Sequence, residues 1–266
     1  MAASLGPDRA VFKLIRILIL LAVLVAVAGT TWLTKARSTD WDDSLWVRIY
    51  PVNGDGSRAA SRYIERLELR QFRGIETFLA REVARFGHAL ERPVRIELGA
   101  PVAEQPPALP DQRSLPAIMW WSLKLRLWAG GIDDEQGGPP PDVRIFVRYH
   151  DPDTDLPLEN SVGLQKGMVG IVNGYAGRRQ DGSNNVVIAH EFLHTLGATD
   201  KYDAANGLPL FPQGYGEPER SPRHPQRFAE IMGGRIALAD DDAAIPSSLK
   251  YVLIGEQTAR EIRLLR

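Results

Sequence analysis

The run His190-Glu191-Phe192-Leu193-His194 has the residue types and spacing for metal chemistry. On a helix, positions i and i+4 share one face, so both imidazoles can reach a single metal ion. Glu191 follows the first histidine and can take a proton from a water on that ion. The preceding Val186-Val187-Ile188-Ala189 is apolar and would bury the helix in a core. Gly197 stands where the helix should end, because glycine adopts the left-handed conformation that stops one. The chain can then turn back and bring Asp200 to the same ion. Two imidazoles, a carboxylate and a water form an open tetrahedral zinc site. Glu217, Glu219, Glu230 and His224 come later in the chain and compete with Asp200 as third ligand. Tyr202 and Tyr215 are candidate donors to a developing oxyanion, and either can equally be a packing residue. Thr195, beside His194, reads as packing.

Over residues 185–234 the sequence resembles the metzincin zinc peptidases. Most of that group have a third histidine where this chain has Asp200. The aspartate pattern, HExxHxxGxxD, is similar to the snapalysin-type and immune inhibitor A-type peptidases. The latter also resemble the continuation Asp200-Lys201-Tyr202-Asp203. The resemblance implies a zinc cofactor, a peptide or protein substrate and a methionine turn below the metal. Met232 of Ile231-Met232-Gly233-Gly234 is the methionine it implies. It also implies an edge strand just upstream of the helix, at 167–172, that pairs with an extended peptide. Zinc would lower the pKa of its water towards 7, and Glu191 would pass the proton to the leaving amine. Rival readings are a zinc hydrolase of another amide or of cell-wall material, and a binding module that keeps the zinc fold without turnover. An intact Glu191 argues against the binding module, which has no need of a base.

The composition limits the class. The 266 residues are 44% apolar and 24% charged, which excludes a largely disordered or collagen-like chain. A net charge of −1 lacks the basic excess of a nucleic-acid binder, so no nucleic-acid partner is expected. The absence of cysteine removes disulfides, cysteine nucleophiles, zinc ribbons and iron–sulfur sites.

From Ile17 to Leu33 the chain is uncharged and mostly apolar, preceded by Arg9, Lys13 and Arg16. This reads as a signal anchor with a cytoplasmic N-terminus. The catalytic domain would then lie on the exported side, periplasmic or extracellular. The alternative is a signal peptide cut near Ala28, giving a secreted protein. Residues 1–37 are therefore assigned to the anchor, 38–44 to a linker and 45–266 to one zinc-peptidase-like domain.

These catalytic residues need a scaffold. Strands are expected at 45–52, 94–98, 143–149 and 167–172. Helices are expected at 58–90 with a break near Gly74, at 118–128, at 185–196 and at 248–265. Loops are expected at 101–116, 133–142 and 201–227. Mixed strands and helices around one core indicate an α+β domain with a mixed sheet and an active-site helix. Asp151, Asp153 and Asp155 alternate like the start of a calcium loop, but Leu156 replaces its glycine and Val162 its final glutamate. Arg58, Arg62, Arg66 and Arg70 read as a solvated face, and Trp120, Trp121 and Trp128 as core aromatics. His88 and His150 read as structural.

Overall fold

The structure is a computed structural model that describes residues 41–110, 114–153, 161–164 and 168–265, with Phe12, Arg16, Ile17 and Leu21 ahead of them. Contacts divide the chain into two units, Met1–Arg37 and Ser38–Arg266. The expected anchor lies outside the described residues apart from Ile17 and Leu21. Among the described residues no helix is long and apolar enough to cross a membrane.

The second unit is an α+β fold built on a mixed five-stranded sheet. Its strands are β1 (Leu45–Asn53), β2 (Val94–Leu98), β3 (Val143–His150), β4 (Val162–Leu164) and β5 (Val169–Tyr175), in the order β2-β1-β3-β5-β4. The first four strands in that order run parallel, and β4 pairs antiparallel with β5. Parallel strands covered on both faces are apolar almost throughout, and β1, β3 and β5 are buried along most of their length. Alternate residues face opposite layers. Val47 and Ile49 join one core with Ile145, whereas Tyr50 and Val52 join another with Phe146 and Ile171.

Five helices are described. Helices α1 (Arg58–Ile64), α2 (Arg73–Arg85) and α4 (Asp181–Leu196) contribute to the larger core on one face. Helix α3 (Leu115–Gln136) covers the other face through Trp121, Leu125, Ala129 and Ile132. The short α5 (Glu256–Glu261) adds Ala259 to the larger core.

Five expectations change. Trp120, expected in the core, is exposed, because it lies on the side of α3 turned away from the sheet, while Trp121 is buried against it. The break in the 58–90 segment falls before Gly74, where Glu68 and Gln71 form a capping box on a 3-10 turn. Gly74 lies inside α2, which packs close to α4, and Asn185 Nδ2 donates to the Gln71 carbonyl. Helix α3 runs through Gly130 and Gly131 to Gln136, shortening the expected 133–142 loop. Its apolar inner face continues to Ile132, and that packing outweighs the low helix propensity of glycine. The expected closing helix shrinks to α5, because Val252–Leu253 forms a strand beside Ala229–Glu230. Finally, β5 is not the edge strand. The antiparallel β4 covers it, so the edge moves to Val162–Leu164.

Candidate metal centre

Helix α4 ends as the glycine requires. Gly197 has φ 109° and donates to the His194 carbonyl, and Ala198 donates to the Leu193 carbonyl. This pair of bonds is a Schellman motif, which reverses the chain at the helix end. The reversal has two consequences. It places the Ala198 carbonyl 2.8 Å from His194 Nδ1, and it brings Asp200 back over the helix face.

The other imidazole is held from a second segment. His190 Nδ1 lies 2.9 Å from the Ile231 carbonyl. With each Nδ1–H donating to a carbonyl, each Nε2 carries a lone pair, the tautomer a metal-ligating histidine needs. The two Nε2 atoms are 3.1 Å apart, and Asp200 Oδ1 is 3.2 Å from His190 Nε2 and 3.1 Å from His194 Nε2. Three acceptors this close repel one another unless a cation lies among them. Four ligands around zinc at bond lengths of about 2.0–2.2 Å stand about 3.3–3.6 Å apart. The observed triangle is only slightly tighter, and its donor set of two nitrogens and an oxygen suits zinc.

Electrostatics follow the same geometry. Asp200 is partly desolvated, yet the two imidazoles hold its carboxyl well below the usual carboxylate range. Burial opposes protonation of His190, but the neighbouring Asp200 and Glu191 carboxylates prevail, and its pKa is raised.

Glu191 is buried, and its Oε2 has no hydrogen-bond partner. Burial raises its pKa, against the pull of His190, His194 and the Gly163 backbone N–H. It groups with His190 and His194, with one ligand atom from each within 4.8 Å of the others. An orphaned buried carboxylate oxygen is costly to keep. Beside a metal site it is the group expected to accept a proton from water.

Strand β4 crosses this helix closely. A Cβ on Gly163 would lie 2.4 Å from the Glu191 carbonyl oxygen and 2.5 Å from His194 Cβ. Only glycine permits that approach. Sequence reasoning missed Gly163, although a glycine inside a short apolar run is the available signal.

The turn below the triangle is held by the fully buried Glu230. Its carboxylate accepts from the N–H groups of Met232 (2.6 Å), Gly233 (2.9 Å) and Gly255 (3.0 Å), and from Thr258 Oγ1 (2.7 Å). The Lys201 N–H donates to the Met232 carbonyl, tying the segment after Asp200 to the same turn. Met232 is fully buried there. Glu230 thus organises the turn and is not drawn into the triangle. The other rival ligands are also engaged elsewhere or exposed. Glu217 pairs with Arg227, His224 Nε2 lies 3.1 Å from the Tyr215 hydroxyl, and Glu219 is exposed.

The two tyrosines separate. Tyr202 lines a cavity of ≈ 640 Å³ with His190 and Glu191, its ring centroid 6.3 Å from that of His190. Burial raises the Tyr202 phenol pKa, and the Asp200 and Glu191 carboxylates act in the same direction. Tyr215 does not line the cavity and faces His224. Thr195 is buried and bonds the Phe192 carbonyl. His88 bonds the Leu264 carbonyl, and His150 bonds Asn173. In the acidic loop the Asp153 N–H donates to Asp151, while Asp155 lies outside the described residues.

No protein-family profile matches the chain. No curated protein matches it either. Among solved structures it is similar to one described as the structure of a chaperone–substrate complex, with 15% identity and a TM-score of 0.39 over 84% of this chain. The chain spans about a third of that protein's length (34%).

Proposed function

We propose that this protein is a zinc-dependent peptidase, anchored in a membrane through Ile17–Leu33, that hydrolyses peptide bonds in exported proteins. The observation that carries the reading is the convergence of His190 Nε2, His194 Nε2 and Asp200 Oδ1 beside the unpartnered oxygen of Glu191. His190, His194 and Asp200 would hold the zinc. When bound, zinc supplies a Lewis acid and lowers the pKa of water. Glu191 accepts the proton of the attacking water and delivers it to the leaving nitrogen. Its burial keeps competing water away and holds the carboxylate in one place. The Ile231 and Ala198 carbonyls fix the two imidazole rings. Tyr202, beside Asp200 on the cavity wall, can donate to oxygen as charge develops there.

The outer edge of β4 supports a peptide as substrate. Strand β5 pairs with one side of β4, and no described strand pairs with the other. An extended chain can add to that edge within reach of Glu191, which Gly163 touches. The test is cleavage of a blocked peptide library by the zinc-loaded chain, with and without 1,10-phenanthroline. Cleavage that chelation stops and zinc restores is the expected result. A folded, zinc-loaded chain that cuts no peptide overturns the reading.

The cavity also carries a preference. Arg235 is the only basic side chain apart from His190 among its described lining residues. Peptides with an acidic side chain near the cut are expected to be cleaved about tenfold faster than their amide counterparts, the scale of one charge-assisted hydrogen bond. Arg235→Ala should erase that difference, measured as kcat/KM on matched Glu and Gln peptides, without altering zinc content.

A further inference from the structure

Asp200 is the least sheltered group of the triangle. Its side chain is 44% exposed, against 12% for His190 and 17% for His194. Packing does little to hold it, so its place depends on the backbone on either side. That backbone is fixed bond by bond. Gly197 and Ala198 donate to the end of α4 in the Schellman turn. The next N–H, of Thr199, donates to Glu261 Oε2 at 2.9 Å, and the Thr199 hydroxyl donates to Glu261 Oε1 at 2.9 Å. Beyond Asp200, the Lys201 N–H donates to the Met232 carbonyl. The Lys201 ammonium turns back past Asp200. It donates to the Thr199 carbonyl at 2.9 Å and to Glu261 Oε2 at 2.8 Å. One carboxylate thus holds the residue before the ligand and, through the ammonium, the residue after it.

We infer that Glu261 is the positioning residue for Asp200, fixing the carboxylate where it meets the two imidazoles. The inference rests on the three-ligand zinc reading above. Glu261 does not line the cavity, and its bonds go to the neighbours of Asp200 and to Gln257, one turn back on α5. Its effect on a metal therefore runs through Asp200. Its own place is firm. It is the last residue of α5, and Thr258 and Ala259 of that helix are fully buried. The Thr258 hydroxyl donates to Glu230, which holds the turn whose Ile231 carbonyl orients His190. One short helix thus braces both sides of the triangle. The Lys201 side chain is buried, and Glu261 is largely covered. Breaking a buried ion pair strands a charge, so neither partner leaves its place easily. Groups that orient a metal ligand are worth about 10–100-fold in metal affinity.

The test is a double-mutant cycle read as zinc affinity, which needs no turnover. Full-length, metal-free parent, Glu261→Gln, Asp200→Ala and the double variant are titrated with zinc against a chromophoric chelator. Glu261→Gln keeps the size of the side chain and loses the charge that pairs with Lys201. It should bind zinc about 10–100-fold more weakly than the parent. In the Asp200→Ala background the same change should move the dissociation constant by less than about twofold, because no carboxylate is left to position. Equal losses in both backgrounds overturn the inference and make Glu261 a general support of the fold. A Glu261→Gln protein that binds zinc like the parent, while Asp200→Ala does not, overturns it and keeps the three-ligand site. Asp200→Ala that binds zinc like the parent overturns the three-ligand reading, and the inference falls with it. Thr199→Val serves where Glu261→Gln does not fold, because Thr199 is exposed and its loss leaves the Lys201–Glu261 pair intact. Its zinc affinity should fall about two- to tenfold, the scale of one hydrogen bond, and only where Asp200 is present. No loss, or the same loss without Asp200, overturns the inference.

Discussion

Glu191→Gln is expected to lower peptide hydrolysis by about 10²–10⁴-fold, the usual contribution of a positioned general base. The carboxamide keeps the size of the buried side chain and can still accept from the Gly163 N–H. It cannot take a proton from water. Zinc content should stay at the parent level, because His190, His194 and Asp200 form the triangle without Glu191. Reading turnover and metal together matters, since the Glu191 carboxylate is near enough to the imidazoles to serve as a ligand. Unchanged turnover would remove Glu191 from the chemistry, and a parallel loss of zinc would make it a ligand instead of a base. A binding module would keep its metal and lose nothing else.

Glu230→Ala is the substitution expected to cost most stability. It strands the N–H groups of Met232 and Gly255 and the hydroxyl of Thr258 inside the protein, while the Gly233 N–H keeps the backbone carbonyl of residue 230. Each buried donor left without a partner costs about 1–3 kcal/mol, and relaxation of the turn recovers part of the sum. A loss of about 3 kcal/mol or more is expected, which lowers the melting temperature by about 10 °C in a domain of this size. The measurement belongs on metal-free protein, so that loss of fold is not confused with loss of zinc. In the loaded form zinc should also bind about 10–100-fold more weakly, because the Ile231 carbonyl that orients His190 leaves its place. An unchanged melting temperature would show that the turn is held by something other than this carboxylate.

The parts of the site readable from sequence were the local ones. Helical spacing puts His190 and His194 on one face, and Gly197 stops the helix so that Asp200 returns to it. Neither requires knowing what packs around the helix. The role of Glu230 was not legible, because a carboxylate near a metal motif reads as a ligand until its four donors are seen, two of them from residues 255 and 258. Gly163 was hidden for the same reason. Its importance lies in the approach of a strand to a helix about 30 residues on, and the glycine in a short apolar run marks the position without naming that partner. The sheet edge went wrong because β4 is three residues long, too short to show alternation. Helix α3 runs past the expected 118–128 because its buried face continues through Ala129 to Ile132, across Gly130 and Gly131.

The central claim is that His190, His194 and Asp200 hold one zinc. The measurement is zinc per chain in the purified, metal-replete full-length protein, with Asp200→Ala beside it. One zinc per parent chain and a clear loss in the variant is the expected result. No zinc in a folded parent, or full zinc in a folded Asp200→Ala, would contradict the three-ligand site.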